Sequence, residues 1–169
     1  MAGVKYLDSF QEYSGETPDE LLSYPAQHQH DVLIRGFEEG IQRKAKRYGE
    51  RSLSTEERLV LAVRALQREV NNGGYDQFLR NSSQRFAATI IGSLRRIGCN
   101  KIAGVSKRAL GALSLPTLNV KAINSAMRKT DEKRDELLEQ CDRQFYNSTQ
   151  DIGKHLYAFI QSHKAHFKF

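Results

Sequence analysis

At 169 residues, with 39% hydrophobic and 27% charged side chains, 3 Pro and a net charge of +6, the chain has the make-up of a globular protein, not of a disordered, collagenous or disulfide-stapled one. No apolar run approaches the roughly 20 residues that a membrane-spanning helix requires. Met1-Ala2-Gly3-Val4-Lys5-Tyr6-Leu7-Asp8 lacks the basic-then-apolar form of a signal peptide, which places the expected protein in the cytoplasm.

Taken in order, residues 1–24 read as an irregular segment with one short helix, and 25–169 as a single all-helical domain. Thr17-Pro18-Asp19-Glu20 is a helix start, with Thr as cap, Pro in the first turn and Glu three residues after the cap. That helix ends near Tyr24-Pro25. A longer one is predicted over 27–48, where Val32, Leu33, Phe37, Ile41, Ala45 and Tyr48 keep the helical period. Its last turns carry Arg43, Lys44, Lys46 and Arg47, cations suited to the negative end of a helix.

Ser54-Thr55-Glu56-Glu57 is a capping box that opens the next helix, with Leu59, Ala62, Val63, Leu66 and Val70 on one stripe. Asn72-Gly73-Gly74 is expected to stop it, because Gly and Asn enter left-handed backbone at little steric cost. A second, short helix restarts at once and sets Gln77 and Asn81 on one face with Phe78 beside them. Glu69 falls at the edge of the buried stripe, where a carboxylate needs donors. The backbone N–H groups of Gly73-Gly74 and the amides of Asn71, Asn72, Gln77 and Asn81 are the expected sources.

Beyond Ser82-Ser83, Phe86, Ile90, Ile91, Leu94 and Ile97 define a helix closed by Gly98. Asn100 is expected to cap another, which ends at Leu115-Pro116. Val120, Ile123 and Met127 mark a further helix. Thr130 is the expected cap of the next, buried through Leu137, Leu138, Cys141 and Phe145. Ser148-Thr149-Gln150-Asp151 is expected to cap the last, whose apolar residues are Ile152, Leu156, Phe159, Ile160 and Phe167. Strand signals are nearly absent, so the predicted fold is all-α, a bundle of about seven to nine helices without a sheet. Cys99 and Cys141 lack metal-like spacing and read as buried free thiols.

Charge is unevenly spread. Residues 1–40 hold 2 basic and 8 acidic side chains, 41–129 hold 18 and 5, and 130–169 hold 6 and 7. Between Asp76 and Asp131 there is no carboxylate at all. Arg80, Arg85, Arg95, Arg96, Lys101, Lys107, Arg108, Lys121, Arg128 and Lys129 fill that gap, with Arg85, Arg95 and Arg96 expected on the outward side of one helix. Such a run fits a solvated surface, an acidic protein partner or the phosphates of a nucleic acid. It lacks a helix-turn-helix signature, a zinc finger and interleaved aromatics that could stack on bases.

Catalytic motifs are missing. Gly73-Gly74 follows no strand and precedes no Lys-Ser/Thr, so it is not a phosphate-binding loop, and His28, His30, His155, His163 and His166 never take the spacing of a zinc hydrolase. An enzyme would have to rest on Glu69 as a base in a pocket with Gln77 and Asn81. A satisfied carboxylate that locks a helix junction accounts for the same residues without chemistry. No metal or cofactor is expected.

The run Glu69-Val70-Asn71-Asn72-Gly73-Gly74-Tyr75-Asp76-Gln77-Phe78-Leu79-Arg80-Asn81-Ser82 resembles the signature of the bacterial DNA-mimic-protein family. The resemblance covers about residues 54–81. It implies an all-helical fold and a non-enzymatic role, since the type member is similar to DNA in surface charge and occupies the DNA-binding face of a transcription factor. Glu69, Asn71, Asn72, Gly73, Gly74, Tyr75, Gln77, Phe78 and Asn81 match, and they look like the structural signature of the family, not its binding surface. The +6 charge departs from acidic DNA mimicry. The expected function is therefore a protein-protein interaction module that regulates or neutralises a partner, such as a DNA-binding regulator or a toxin. The candidate surface for an acidic partner is Arg80, Arg85, Arg95, Arg96, Lys101, Lys107, Arg108, Arg128 and Lys129. Nucleic acid is the second expected partner, membrane is not one, and a homodimer is compatible with this reading.

Overall fold

The computed structural model describes residues 10–26 and 29–169. Among them the chain is all-α, with eight α-helices, three short 3-10 turns and no strand. By packing, it forms two compact units: the described residues up to Leu61 with Gly153–Phe169, and Ala62–Ile152.

The first unit holds α1 (Pro18–Ser23), α2 (His30–Tyr48), the first two turns of α3 (Thr55–Arg80) and nearly all of α8 (Ile152–Ser162). The capping box of α1 forms as its residues dictate: Glu20 N–H donates to the Thr17 hydroxyl, and Thr17 N–H to the Glu20 carboxylate. α2 starts at His30; residues 27 and 28, where the sequence places its beginning, lie outside the described residues. Of the predicted stripe Leu33, Phe37 and Ile41 are buried, joined by Ile34, whereas Val32 and Ala45 are half-buried and Tyr48 at the helix end is exposed.

Glu57 does more than complete a capping box. Fully buried, it accepts from Ser54 N–H at 2.8 Å, from Lys44 Nζ at 2.8 and 2.9 Å, and from the backbone N–H of Lys168 at 2.9 Å. A carboxylate taken out of water needs this many donors. Its fourth bond ties down the chain end, where Phe167 and Phe169 both meet Phe37 edge-on at 5.5 Å.

The second unit holds the rest of α3, a 3-10 turn over Ser82–Phe86, α4 (Ile90–Arg96), α5 (Asn100–Gly111), α6 (Val120–Met127) and α7 (Glu132–Tyr146). Several expectations change here, among them the end of α5, which falls at Gly111 and not at Leu115-Pro116. The helix predicted to begin after Ser82-Ser83 becomes α-helical only at Ile90, because the preceding 3-10 turn directs the Ser83 hydroxyl and the Gln84 amide inward to polar partners. Arg85 therefore lies on that turn and not on the helix of Arg95 and Arg96.

Asn100 does not cap α5. The free N–H groups of Lys101 and Ile102 donate instead to Gln150 Oε1, at 2.9 and 3.1 Å, a side chain 48 residues further on. The cap of α7 is Asp131, not Thr130: its carboxylate accepts from Arg134 N–H at 3.0 Å, and an anion suits the positive end of a helix better than a hydroxyl. The apolar stripes close over a core that includes Leu66, Tyr75, Phe78, Leu79, Ile90, Leu94 and Ile102, each fully buried.

Candidate functional site

The junction at Gly73-Gly74 is where α3 departs from helical geometry. Gly73 sits at φ −160°, ψ 25° and Gly74 at φ 73°, ψ −174°. The first is extended backbone that any residue adopts. The second is a region reserved almost wholly to glycine. A Cβ on Gly74 would run into the carboxylate of Asp142, and one on Gly73 would meet the amide oxygen of Gln77. Gly74 is thus required by close approach as well as by turning, whereas at Gly73 only the flexible end of Gln77 stands in the way of a Cβ.

The break aims donors at Glu69. Gln77 Nε2 and Asn81 Nδ2 donate to its Oε2, each at 2.8 Å, and the Ser83 hydroxyl donates to Oε1 at 2.9 Å. Glu69 is 8% exposed. Burial pushes its pKa up, but the three hydrogen bonds, helped by the charge of Arg68, outweigh it and hold the carboxyl below the usual range. The sequence places Gln77 and Asn81 correctly beside Glu69. It also offers Asn71, Asn72 and the glycine N–H groups, and here the structure differs: Asn71 and Asn72 are exposed, and the third donor is Ser83.

Tyr75 and Phe78 are fully buried. The Tyr75 hydroxyl pairs with the Ser106 hydroxyl at 2.8 Å, and its backbone N–H donates to Asp142 Oδ1 at 2.7 Å. The Tyr146 hydroxyl donates to the carbonyl of Val70 at 2.5 Å. α7 thereby holds both sides of the break, a role no local signal announces because its residues lie some 70 positions away.

Asp142 pulls the other way from Glu69. Burial raises its pKa, the Tyr75 N–H lowers it, and the nearby charges of Asp76 and Glu139 raise it again; the net direction is up. A folded-state value above the unfolded one means that its contribution to stability is present below the unfolded pKa of about 3.9 and is lost as pH rises through the folded value. Asp142→Asn keeps an oxygen for Tyr75 and removes the charge. Its melting temperature is expected to exceed that of the wild type at pH 7, with the gap closing below about pH 4. Thermal melts at the two pH values decide this; a lower melting temperature at pH 7 would contradict it.

This arrangement is poor for catalysis. A general base works best with a pKa near the operating pH and a free lone pair directed at substrate. Glu69 is held ionised, with both oxygens occupied. The two cysteines are equally quiet: burial pushes the Cys99 thiol up to about 11 and raises Cys141 as well, so both stay protonated at neutral pH. Among the described residues there is no cluster of His, Cys, Asp and Glu fit to hold a metal, and no helix long and apolar enough to cross a membrane.

All ten cations between Arg80 and Lys129 are exposed. Arg80 and Arg108 help to hold the fold, and Arg85 lies over the ring of Phe86 at 4.7 Å. Arg80 pairs with Asp76 at 2.8 Å and donates to the carbonyl of Met127, while Arg108 donates to Gln144. The bond from Arg80 and one from Gln84 Nε2 to Asn124 Oδ1 bring the 80–86 segment against α6, the helix that carries Lys121. α4 and α5 pack on each other and carry Arg95, Arg96, Lys101 and Lys107. The sequence missed one cation. Arg134, 4% exposed, pairs with Asp135 at 2.7 Å and donates to the carbonyls of Ala126 and Lys129, closing the end of α6.

Compared with known proteins, the chain matches the DMP19-like protein family over residues 51–163, which takes in the whole of the Glu69 cluster and the cationic surface. The chain belongs to this family. DMP19-like proteins are a DNA-mimic family, so the all-α scaffold comes with a protein-binding type of role. No curated protein and no solved structure matches the chain. Within this DMP19-like chain the Glu69 cluster faces its own helices, and the exposed charge over residues 80–129 is cationic.

Proposed function

We propose that the protein acts by binding, as a bacterial protein-protein interaction module that regulates or neutralises an acidic partner. One observation carries this reading: ten exposed cations over residues 80–129 with no carboxylate between them in sequence, on a scaffold of DNA-mimic type. Complementary charge speeds encounter and selects partners, and its effect fades as salt screens it. The Glu69 cluster serves as a clasp that sets the break in α3 and the 3-10 turn after it, not as a catalytic pocket.

Affinity capture from the source cells tests it. A stoichiometric protein is expected at low salt, lost at high salt, and lost from an Arg95→Glu/Arg96→Glu variant that melts like the wild type. A nucleic acid is the second reading, favoured by the same uninterrupted cations. A gel shift with DNA and RNA of mixed sequence would establish it in place of the first if binding is tight, salt-sensitive and abolished by that variant while no protein is recovered.

A further inference from the structure

Within the cationic surface, the neighbourhood of α6 has features that select a kind of ligand. An open groove of about 760 Å³ is lined by Val120, Lys121, Asn124, Ser125, Arg128 and Lys129. Three of these six carry positive charge and none is acidic. A second recess, of about 440 Å³, shares Ser125 and Lys129 with it and adds Leu113, Leu115 and Ala122 together with the oppositely charged Arg134 and Asp131, the latter already engaged as the cap of α7. Val120 is 43% exposed on the wall, one of three large apolar side chains so exposed among the described residues. The other two have visible occupations: Tyr48 lies under the guanidinium of Arg47, and Tyr146 is bonded to Val70.

The frame around this groove is fixed. Asn119 caps α6 by accepting from Ala122 N–H at 2.9 Å, Gln84 holds Asn124, Arg80 holds the Met127 carbonyl, and Arg134 holds those of Ala126 and Lys129. A ligand therefore meets a preformed surface and little ordering cost is left to the protein.

Resting on the binding function proposed above, we infer that this groove receives an acidic segment of a protein partner, its carboxylates on Lys121, Arg128 and Lys129 and an apolar side chain against Val120. The apolar wall is what separates a peptide from a nucleic acid. A phosphodiester strand satisfies cations but offers an exposed valine only sugar carbons or a thymine methyl in place of a whole aliphatic side chain, and the groove offers no aromatic ring for a base to stack on. An acidic peptide with interspersed leucines satisfies both.

Fluorescence anisotropy with the full chain tests this. The probes are a labelled peptide of glutamates interrupted by leucines, the same peptide with serine for leucine, and a single-stranded DNA of equal charge. The leucine peptide is expected to bind best, with affinity falling as salt rises. Lys121→Glu/Arg128→Glu should weaken it at least about tenfold, because two attractive contacts become repulsive. Val120→Ser should erase its advantage over the serine peptide while leaving the serine peptide's own affinity unchanged.

Equal binding of DNA and the leucine peptide, insensitive to Val120→Ser, overturns the inference in favour of nucleic acid. If the captured partner binds the groove variants as well as it binds the wild type, but not the Arg95→Glu/Arg96→Glu variant, the groove is wrong while the binding function stands. If no partner and no probe binds by any face, the proposed function fails with it. All the substituted side chains are exposed, so melting curves that match the wild type keep each outcome interpretable.

Discussion

Gly74→Ala is expected to destabilise the protein by about 3–5 kcal/mol. Two costs combine. The backbone at φ 73°, ψ −174° belongs to glycine, and forcing an L-residue there costs about 1–3 kcal/mol. The new Cβ also collides with the Asp142 carboxylate, which must swing away and release the backbone N–H of Tyr75; a hydrogen bond to a charged group is worth about 1.5–3 kcal/mol. For a chain of this size that is a fall in melting temperature of roughly 10 °C or more.

Gly73→Ala is the control. Its φ of −160° suits any residue, and what its Cβ meets is the amide end of a flexible Gln77, so about 1–2 kcal/mol is expected from the weakened bond to Glu69. An Asp142→Ala background should remove the collision, making the Gly74→Ala effect smaller there than in the wild type. Thermal and urea melts of the two alanine variants settle the order. A Gly73→Ala variant less stable than Gly74→Ala would show that backbone conformation does not govern the junction.

The two glycines show what a sequence can and cannot say about this fold. Periodicity fixes buried stripes because the 3.6-residue repeat is a local property, and the capping boxes at Thr17 and Ser54 are local as well. Glu69 is legible as a buried acid in need of donors, and Gln77 and Asn81 are legible as candidates, since helical spacing sets the two amides on one face just beyond the break. Ser83 is not, because a 3-10 turn and not an α-helix presents it. Asp142, Gln150 and Tyr146 are invisible for a different reason: each reaches across tens of residues to a backbone group, and nothing in its own neighbourhood marks it.

The cationic stretch is legible as charge but not as a surface. Only the packing separates Arg80 and Arg108, tied to Asp76 and Gln144, from the cations that line the groove along α6. That separation changes what should be mutated. Reversing Arg80 would break an ion pair and a hydrogen bond to Met127, and the loss would say nothing about partners; Lys121 and Arg128 report on binding without that ambiguity.

The second large effect is expected at Glu69. Glu69→Ala removes a carboxylate that takes three hydrogen bonds, and a loss of about 2–4 kcal/mol follows; the donors Gln77 and Asn81 are partly exposed and regain water, which keeps the figure below the full sum of three charge-assisted bonds. Glu69→Gln preserves the shape but turns an N–H2 group toward groups that are themselves donors. It should cost less than alanine and should do so in a pH-dependent way. Because the pKa of Glu69 is lower in the folded state than in the unfolded one, its ionised form contributes stability that is fully present above the unfolded value of about 4.3 and is lost as pH falls through the folded value. The stability difference between wild type and Glu69→Gln is therefore expected to be widest at neutral pH and to narrow on acidification below about pH 4. Urea denaturation from pH 3 to pH 8 measures it. A difference that stays constant across that range would mean that the charge of Glu69 does not hold the clasp, and the role assigned here to Gln77, Asn81 and Ser83 would fall with it.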